Sequence, residues 1–251
     1  MEPAEFYNEG FYLDQKDSSY RSATIMLDFF FNYYTPKSVV DVGCGLGTWL
    51  KVCREKGVET IKGYDVNEMP PEQFFIDRNL VEIIDLEKPV AVSHKYDLAL
   101  SVEVAEHIHP EHAARYLDYL TELSDVILFS AANPHQLGMG HVNEQPPTYW
   151  SERFRQKQYL CFDMMRPALM NINEISWWYR QNILVFVHEE RAGIFLAQGL
   201  SPVESPAYLY HPERFFILMR EYEQLREKIR SRRLSVKLKR LFGALPDKGS
   251  A

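Results

Sequence analysis

The stretch Ser38-Val39-Val40-Asp41-Val42-Gly43-Cys44-Gly45-Leu46-Gly47-Thr48-Trp49, followed further on by Asp65 at the end of Thr60-Ile61-Lys62-Gly63-Tyr64-Asp65, decides the fold. Its apolar run Ser38–Val42 reads as a buried parallel strand, and a helix starts at Thr48. Between them Gly43, Gly45 and Gly47 let the backbone turn sharply and approach a ligand more closely than any Cβ allows. Asp65, ending the next strand, is placed to accept hydrogen bonds from both hydroxyls of a ribose, as in other doubly wound α/β folds.

The glycine spacing discriminates between cofactors. A dinucleotide site carries G-x-G-x-x-G with a pyrophosphate resting on the helix N-terminus. Here the pattern is Gly43-x-Gly45-x-Gly47 with an acid, Asp41, just upstream. That acid would repel a pyrophosphate and suits a cofactor carrying an ammonium group, which points to S-adenosylmethionine. The stretch resembles motif I of class I S-adenosylmethionine-dependent methyltransferases. By that resemblance the Gly43–Gly47 loop passes under the methionine and ribose of the cofactor, and Asp65 holds the ribose. Asp85-Leu86 follows the third strand, where methyltransferases of this class place an acid on the adenine amino group and the next residue against the ring. With Asp41 and the adjoining Trp49, Val66 and Ser101, these form the expected cofactor set. An N-terminal segment commonly covers cofactor and substrate in this class, which makes Tyr7, Tyr12, Tyr20 and Arg21 lid candidates, Arg21 toward the cofactor and the tyrosines toward the substrate.

A chain of 251 residues suits one α/β domain with an appendage. Apolar content of 46% and charged content of 25% are ordinary for a soluble globular protein and argue against disorder or a membrane span. The N-terminus lacks the basic start and apolar run of a signal peptide, and Cys44, Cys53 and Cys161 show no metal-type spacing or paired framework. A cytoplasmic location is expected. Charge is uneven: the net −7 divides into about +6 over residues 212–251 and about −13 over the remainder. An acidic body argues against a nucleic-acid groove, so no nucleic-acid partner is expected.

Strands are predicted at Thr60–Tyr64, Leu80–Ile84, Tyr96–Val102, Val126–Ala131, Leu160–Met165 and Ile183–His188. Helices are predicted at Ser22–Tyr34, Thr48–Lys56, Pro110–Leu123 and Pro147–Gln158. This alternation implies a doubly wound, seven-stranded, mostly parallel Rossmann-like sheet, with an irregular Arg166–Asn182 segment before a final antiparallel strand. Residues 1–35 are expected to form an N-terminal lid and helix, residues 36–200 the methyltransferase domain, and residues 201–251 a linker and a basic helix, Glu213–Phe242. Phe216, Met219, Tyr222, Leu225 and Ile229 recur on that helix at three and four, a stripe suited to the body or to a second subunit. Its part from Arg226 to Arg240 has eight basic residues against one acid. Either a solvated helix or a peripheral attachment to anionic lipid or to a partner enzyme follows.

After the fourth strand comes Ser101-Val102-Glu103-Val104-Ala105-Glu106-His107. On a helical turn Glu103, Glu106 and His107, at i, i+3 and i+4, share a face. Such a set can bind a divalent cation, with His141 beyond the fifth strand as a fourth ligand. The set resembles metal-assisted small-RNA 2′-O-methyltransferases and, more loosely, ubiquinone-biosynthesis O-methyltransferases. The resemblance implies that Glu103, Glu106, His107 and His141 hold a cation that lowers the pKa of a substrate hydroxyl. The alternative is a metal-free site in which His107 or His141, aided by Glu106, acts as base.

The blocks Ser101–His107, His141–Trp150 and Trp177–Asn182 also resemble methyltransferases found with bacterial surface-polysaccharide biosynthesis. This resemblance implies O-methylation of a sugar or sugar-linked group, with Tyr149, Trp150, Trp177, Trp178 and Tyr179 as stacking candidates and Arg180 and Asn182 as polar partners. The competing readings are a metal-independent small-molecule O- or N-methyltransferase and a non-catalytic cofactor-binding scaffold that recruits partners through its basic helix.

Overall fold

The computed structural model describes residues 9–242, and the side chains of residues 18–233. Its strands are β1 (Ser38–Val42), β2 (Thr60–Asp65), β3 (Val81–Ile83), β4 (Leu98–Val102), β5 (Val126–Ser130), β6 (Tyr159–Phe162) and β7 (Leu184–His188). They form one sheet in the order β3-β2-β1-β4-β5-β7-β6. The strands from β1 to β5 run parallel, and β7 is antiparallel to both β5 and β6. The expected doubly wound sheet with a reversed final strand is therefore present. Five strands, β3 to β7, are shorter than predicted: Tyr96, for example, makes only a single bridge to Ser124, and Met165 already opens a helix.

The α-helices are α1 (Glu9–Phe31), α2 (Thr48–Glu55), α3 (Ala113–Leu123), α4 (Pro147–Arg155), α5 (Met165–Leu169), α6 (Trp177–Asn182), α7 (Gly193–Leu196) and α8 (Pro212–Phe242). Helix α2 springs from Gly47 in the left-handed region and buries Trp49, Leu50, Val52 and Cys53 along one face. Gly57, at φ 92, follows its end, where glycine relieves the left-handed strain of a helix stop. The segment predicted to be irregular instead holds α5 and α6. The buried Arg180 ties them together, its guanidinium donating to the Met170 carbonyl and to Asn173 Oδ1.

Both faces of the sheet are covered, which is why its strands read as continuous apolar runs. On β5, Val126 and Leu128 enter the core that also takes Met26, Leu27 and Phe30 of α1. Ile127 and Phe129 enter the opposite core with Leu117 and Leu120 of α3 and Phe154 of α4. The predicted apolar helix Ser22–Tyr34 thus supplies fully buried side chains to the core, Ala23, Met26, Leu27 and Phe30 among them.

The described residues divide between Leu209 and Tyr210 into two compact units. Residues 201–209 group with the first, anchored by Val203 N–H to the Cys161 carbonyl (2.7 Å) and by Arg166 to the Ala207 carbonyl (2.8 Å). In the second unit Phe215, Phe216, Met219, Tyr222, Leu225 and Ile229 of α8 are exposed. Among the described residues no helix is long and apolar enough to cross a membrane.

Candidate active site

The carboxyl ends of β1, β2 and β4 converge on the glycine loop. The N–H groups of Gly43 and Cys44 both donate to the Tyr64 carbonyl (2.7 and 3.0 Å), closing the loop onto β2. Asp65 then staples it: Oδ2 accepts the Gly45 N–H at 2.7 Å and Oδ1 the Asn67 N–H at 2.9 Å. Each oxygen keeps a lone pair for a ligand. A cleft of about 470 Å³ opens here. Asp65, Val66, Asp85 and Leu86 line it, together with Gly43, Glu103, Val104 and His107. Asn67, Glu87 and His109 also line it and were missed by sequence reasoning, since nothing in their local pattern marks them. Glu87 accepts both the backbone N–H of His109 and a bond from its Nδ1 (2.7 Å each). Lys88 and the Glu87 N–H, both hydrogen-bonded to the Asp85 carboxyl, hold its pKa below the usual carboxylate value.

Six residues expected at the cofactor do not line the cleft: Gly45 and Gly47 of the loop, and Asp41, Trp49, Ser101 and Arg21. Asp41 lies inside the sheet, 2% exposed, and burial followed by the nearby Asp65 charge pushes its pKa up to about 8. Trp49 is a core residue with its ring edge-on to Tyr179. Ser101 is fully buried and shares a hydrogen bond with the Tyr116 hydroxyl (2.8 Å). Arg21 projects from the exposed side of α1.

At the end of β4 the chain departs from the expected helical turn. Glu103 is left-handed, φ 57, with its N–H held by the Ser130 carbonyl and Oγ. The 3₁₀ turn Ala105–His107 begins only after Val104. Glu103 therefore does not share a helical face with Glu106 and His107. Its carboxylate is cradled by amides: Asn182 Nδ2 donates to Oε1 (3.1 Å) and Oε2 (3.2 Å), and Gln136 Nε2 to Oε2 (3.1 Å). Burial raises its pKa, and these donors oppose the rise.

Glu106, His107 and His141 come together with their ligand atoms within 4.8 Å of one another, and Glu103 lies outside this group. The imidazoles meet edge to face, centroids 4.9 Å apart. Each is oriented through Nδ1: that of His107 faces the Gly140 carbonyl (3.1 Å) and that of His141 faces Glu144 Oε1 (2.8 Å). Glu106 is fully buried, and neither carboxylate oxygen has a hydrogen-bond partner. Burial and then the adjacent Glu103 charge raise its pKa well above the usual value. Desolvation, reinforced by His141, lowers that of His107.

Of the expected aromatic wall, Trp150 and Tyr179 are buried, and Tyr149, Trp177 and Trp178 are half-buried. Trp150, expected to stack on substrate, is 2% exposed and packs against Phe129. Arg180, expected as a polar partner, spends its guanidinium on the α5–α6 carbonyls described above. Tyr179 is buried, its hydroxyl bonded to that of Ser19 at 3.0 Å. Tyr20 lies outside the cleft, donating to Glu55 Oε2 (2.7 Å) with Lys51 over its ring. The side chain of Tyr12 lies outside the described residues, as does all of Tyr7.

A seven-stranded sheet with this strand order, a glycine loop stapled to an acid at the end of β2, and a cleft over both define a class I, S-adenosylmethionine-dependent methyltransferase. The chain belongs to the methyltransferase-domain family, whose model matches residues 16–188. Among solved structures it is similar to the magnesium protoporphyrin IX methyltransferase of Synechocystis PCC 6803 with bound S-adenosylmethionine, at 17% identity and TM-score 0.50, over 69% of this chain and 83% of that one. It is similar also to the methyltransferase domain of bacterial CtHen1, at 18% identity and TM-score 0.47, over 67% and 97% of the two chains. No curated protein matches it significantly.

Proposed function

We propose that the chain transfers a methyl group from S-adenosylmethionine to a hydroxyl of a carbohydrate or sugar-linked group, with Glu106, His107 and His141 able to hold a divalent cation beside that hydroxyl. One observation carries the reading: Asp65, Asp85 and Gly43 line the same cleft as Glu103 and His107. His107 of the reaction centre thus opens on the same cleft as the residues assigned to the cofactor. The acids in that cleft disfavour an anionic acceptor and suit a neutral polyol. The carbohydrate class is supported further by the sequence resemblance of the Ser101–His107, His141–Trp150 and Trp177–Asn182 blocks.

The residues fit a cation. Glu106 is an orphaned buried carboxylate, and two imidazoles with Nδ1 already engaged leave Nε2 as the free nitrogen. A bound cation would supply Lewis acidity that eases deprotonation of the acceptor hydroxyl. The residues of the chain do the rest. Asp65 and the loop fix the cofactor for an in-line displacement in which the acceptor oxygen, its proton released to solvent, bonds to the methyl carbon as the carbon–sulfur bond breaks.

A second reading, a metal-independent small-molecule methyltransferase, draws on the lowered pKa of His107. A neutral ring with Nδ1–H toward Gly140 offers Nε2 as the base that receives the acceptor proton. Calorimetry should show S-adenosylhomocysteine bound at least tenfold more weakly by Asp65→Ala, and equal affinity would remove the cofactor assignment. Methyl transfer to a panel of neutral sugars should fall on chelation, recover with added cation, and show no such recovery in Glu106→Gln. Activity indifferent to chelation selects the second reading.

A further inference from the structure

We infer that Glu144 is the positioning residue of the reaction centre, setting through one carboxylate the path of the loop between β5 and α4 and the tautomers of both His107 and His141. The inference rests on the reading of Glu106, His107 and His141 as that centre. Glu144 takes three donors at once. Its Oε1 accepts the Leu137 N–H (2.7 Å) and faces His141 Nδ1 (2.8 Å), while Oε2 accepts the His135 N–H (2.8 Å). The side chain is only 16% exposed, so these bonds are shielded from water.

The two backbone donors are unusual. His135 and Leu137 adopt positive φ, 66 and 61, a region disfavoured for a bulky side chain. Such strain persists only where the surroundings over-determine it. Glu144 supplies that constraint, because the N–H of each left-handed residue ends on it. The fixed loop then delivers both rings. The Gly140 carbonyl (φ 72) meets His107 Nδ1, and Gly138 presents a bare Cα to the His141 ring, where a Cβ would stand 2.2 Å from Nε2.

A carbonyl and a carboxylate only accept, so each imidazole must carry its proton on Nδ1 and turn a lone pair out on Nε2. The Gly140 carbonyl fixes one ring and the Glu144 carboxylate the other. Both partners lie on the segment that Glu144 holds. Exchange for glutamine replaces one acceptor oxygen by an NH₂ that can donate to His141 Nδ1, which favours the opposite tautomer.

The test uses the full chain, labelled with ¹⁵N-histidine, free of metal and saturated with S-adenosylhomocysteine, at pH 8.5. Long-range proton–nitrogen spectra, with the rings assigned through His107→Asn and His141→Asn, should show the Nδ1–H tautomer for both in the parent. In Glu144→Gln, His141 should move to Nε2–H and the affinity for Co²⁺ alone should fall by about ten- to a hundredfold. Affinity for S-adenosylhomocysteine should stay within twofold, showing an intact fold. Unchanged His141 shifts with unchanged Co²⁺ affinity overturn the inference. If the parent binds no Co²⁺, the metal reading falls and the tautomer alone decides Glu144. Amide exchange in the parent needs no variant: protected His135 and Leu137 amides support the clamp, and amides exchanging as in an unfolded peptide defeat it.

Discussion

Glycines that look alike in the motif do different work residue by residue. Gly43, at φ 84, has Val104 packed over it, so that a Cβ would lie 2.4 Å from Val104 Cγ2. A valine methyl close to its backbone cannot swing away cheaply, so strain and overpacking add. Gly45, at φ 52, has no protein atom within 4 Å of the same construction. Gly43→Ala should therefore cost about 2–4 kcal/mol of stability and Gly45→Ala only about 1 kcal/mol. The second should weaken S-adenosylhomocysteine binding more than it weakens the fold. Denaturant melts of the two variants decide the matter: equal losses would mean that Val104 gives way. The glycine turn and the acid at the end of β2 were legible at this scale because glycine spacing and an acid after an apolar run are local signals. The loop-stapling bond from Gly45 to Asp65 was not, because the pattern reveals the acid without showing that the loop itself is one of its partners.

Between elements, long-range contacts overrule local spacing. Glu103, Glu106 and His107 have helical spacing in the sequence, yet Ser130 on β5 captures the Glu103 N–H and turns that residue left-handed. No pattern near Glu103 encodes a contact with residue 130, so the four-ligand expectation resolves into a trio and a separate amide-cradled carboxylate. Trp150 was misread for a related reason: aromatic residues on a helix beside the sheet give the same sequence signal whether they face substrate or core. Arg166 is a comparable case, surface-like in sequence and fully buried in the fold. It pairs with both Asp163 oxygens (2.8 and 2.5 Å) and reaches the Ala207 carbonyl (2.8 Å), joining β6, α5 and the 201–209 segment. Arg166→Ala should destabilise by about 3 kcal/mol or more, because it strands Asp163 and a buried carbonyl. Arg166→Lys should recover little, since an ammonium cannot reproduce the fork. A denaturation midpoint within about 1 kcal/mol of the parent for the alanine variant would show that water replaces the guanidinium.

For the whole molecule, buried acids set how stability responds to pH. Asp41 has its pKa pushed up to about 8 by burial and by Asp65, and Glu106 is raised well above its usual value by burial and by Glu103. In the unfolded chain both would ionise near pH 4. Between those limits the native state holds protons that the unfolded state has released, so stability falls as pH rises. The contribution of Asp41 is therefore complete below about pH 4 and is lost by about pH 8, with a slope of up to about 1.4 kcal/mol per pH unit for one proton. Asp85 and Glu87, both held below their usual values, act in the opposite sense, but they sit at the surface where solvent screens them. Guanidinium melts at pH 5, 6, 7 and 8 should accordingly show declining stability in the parent. Asp41→Asn removes one titrating group while keeping its shape, and its stability should decline less steeply over the same range. Identical slopes for the two proteins would mean that Asp41 is ionised in the native state. Its charge would then have to be balanced inside the sheet, where no cation is among its partners in the described residues.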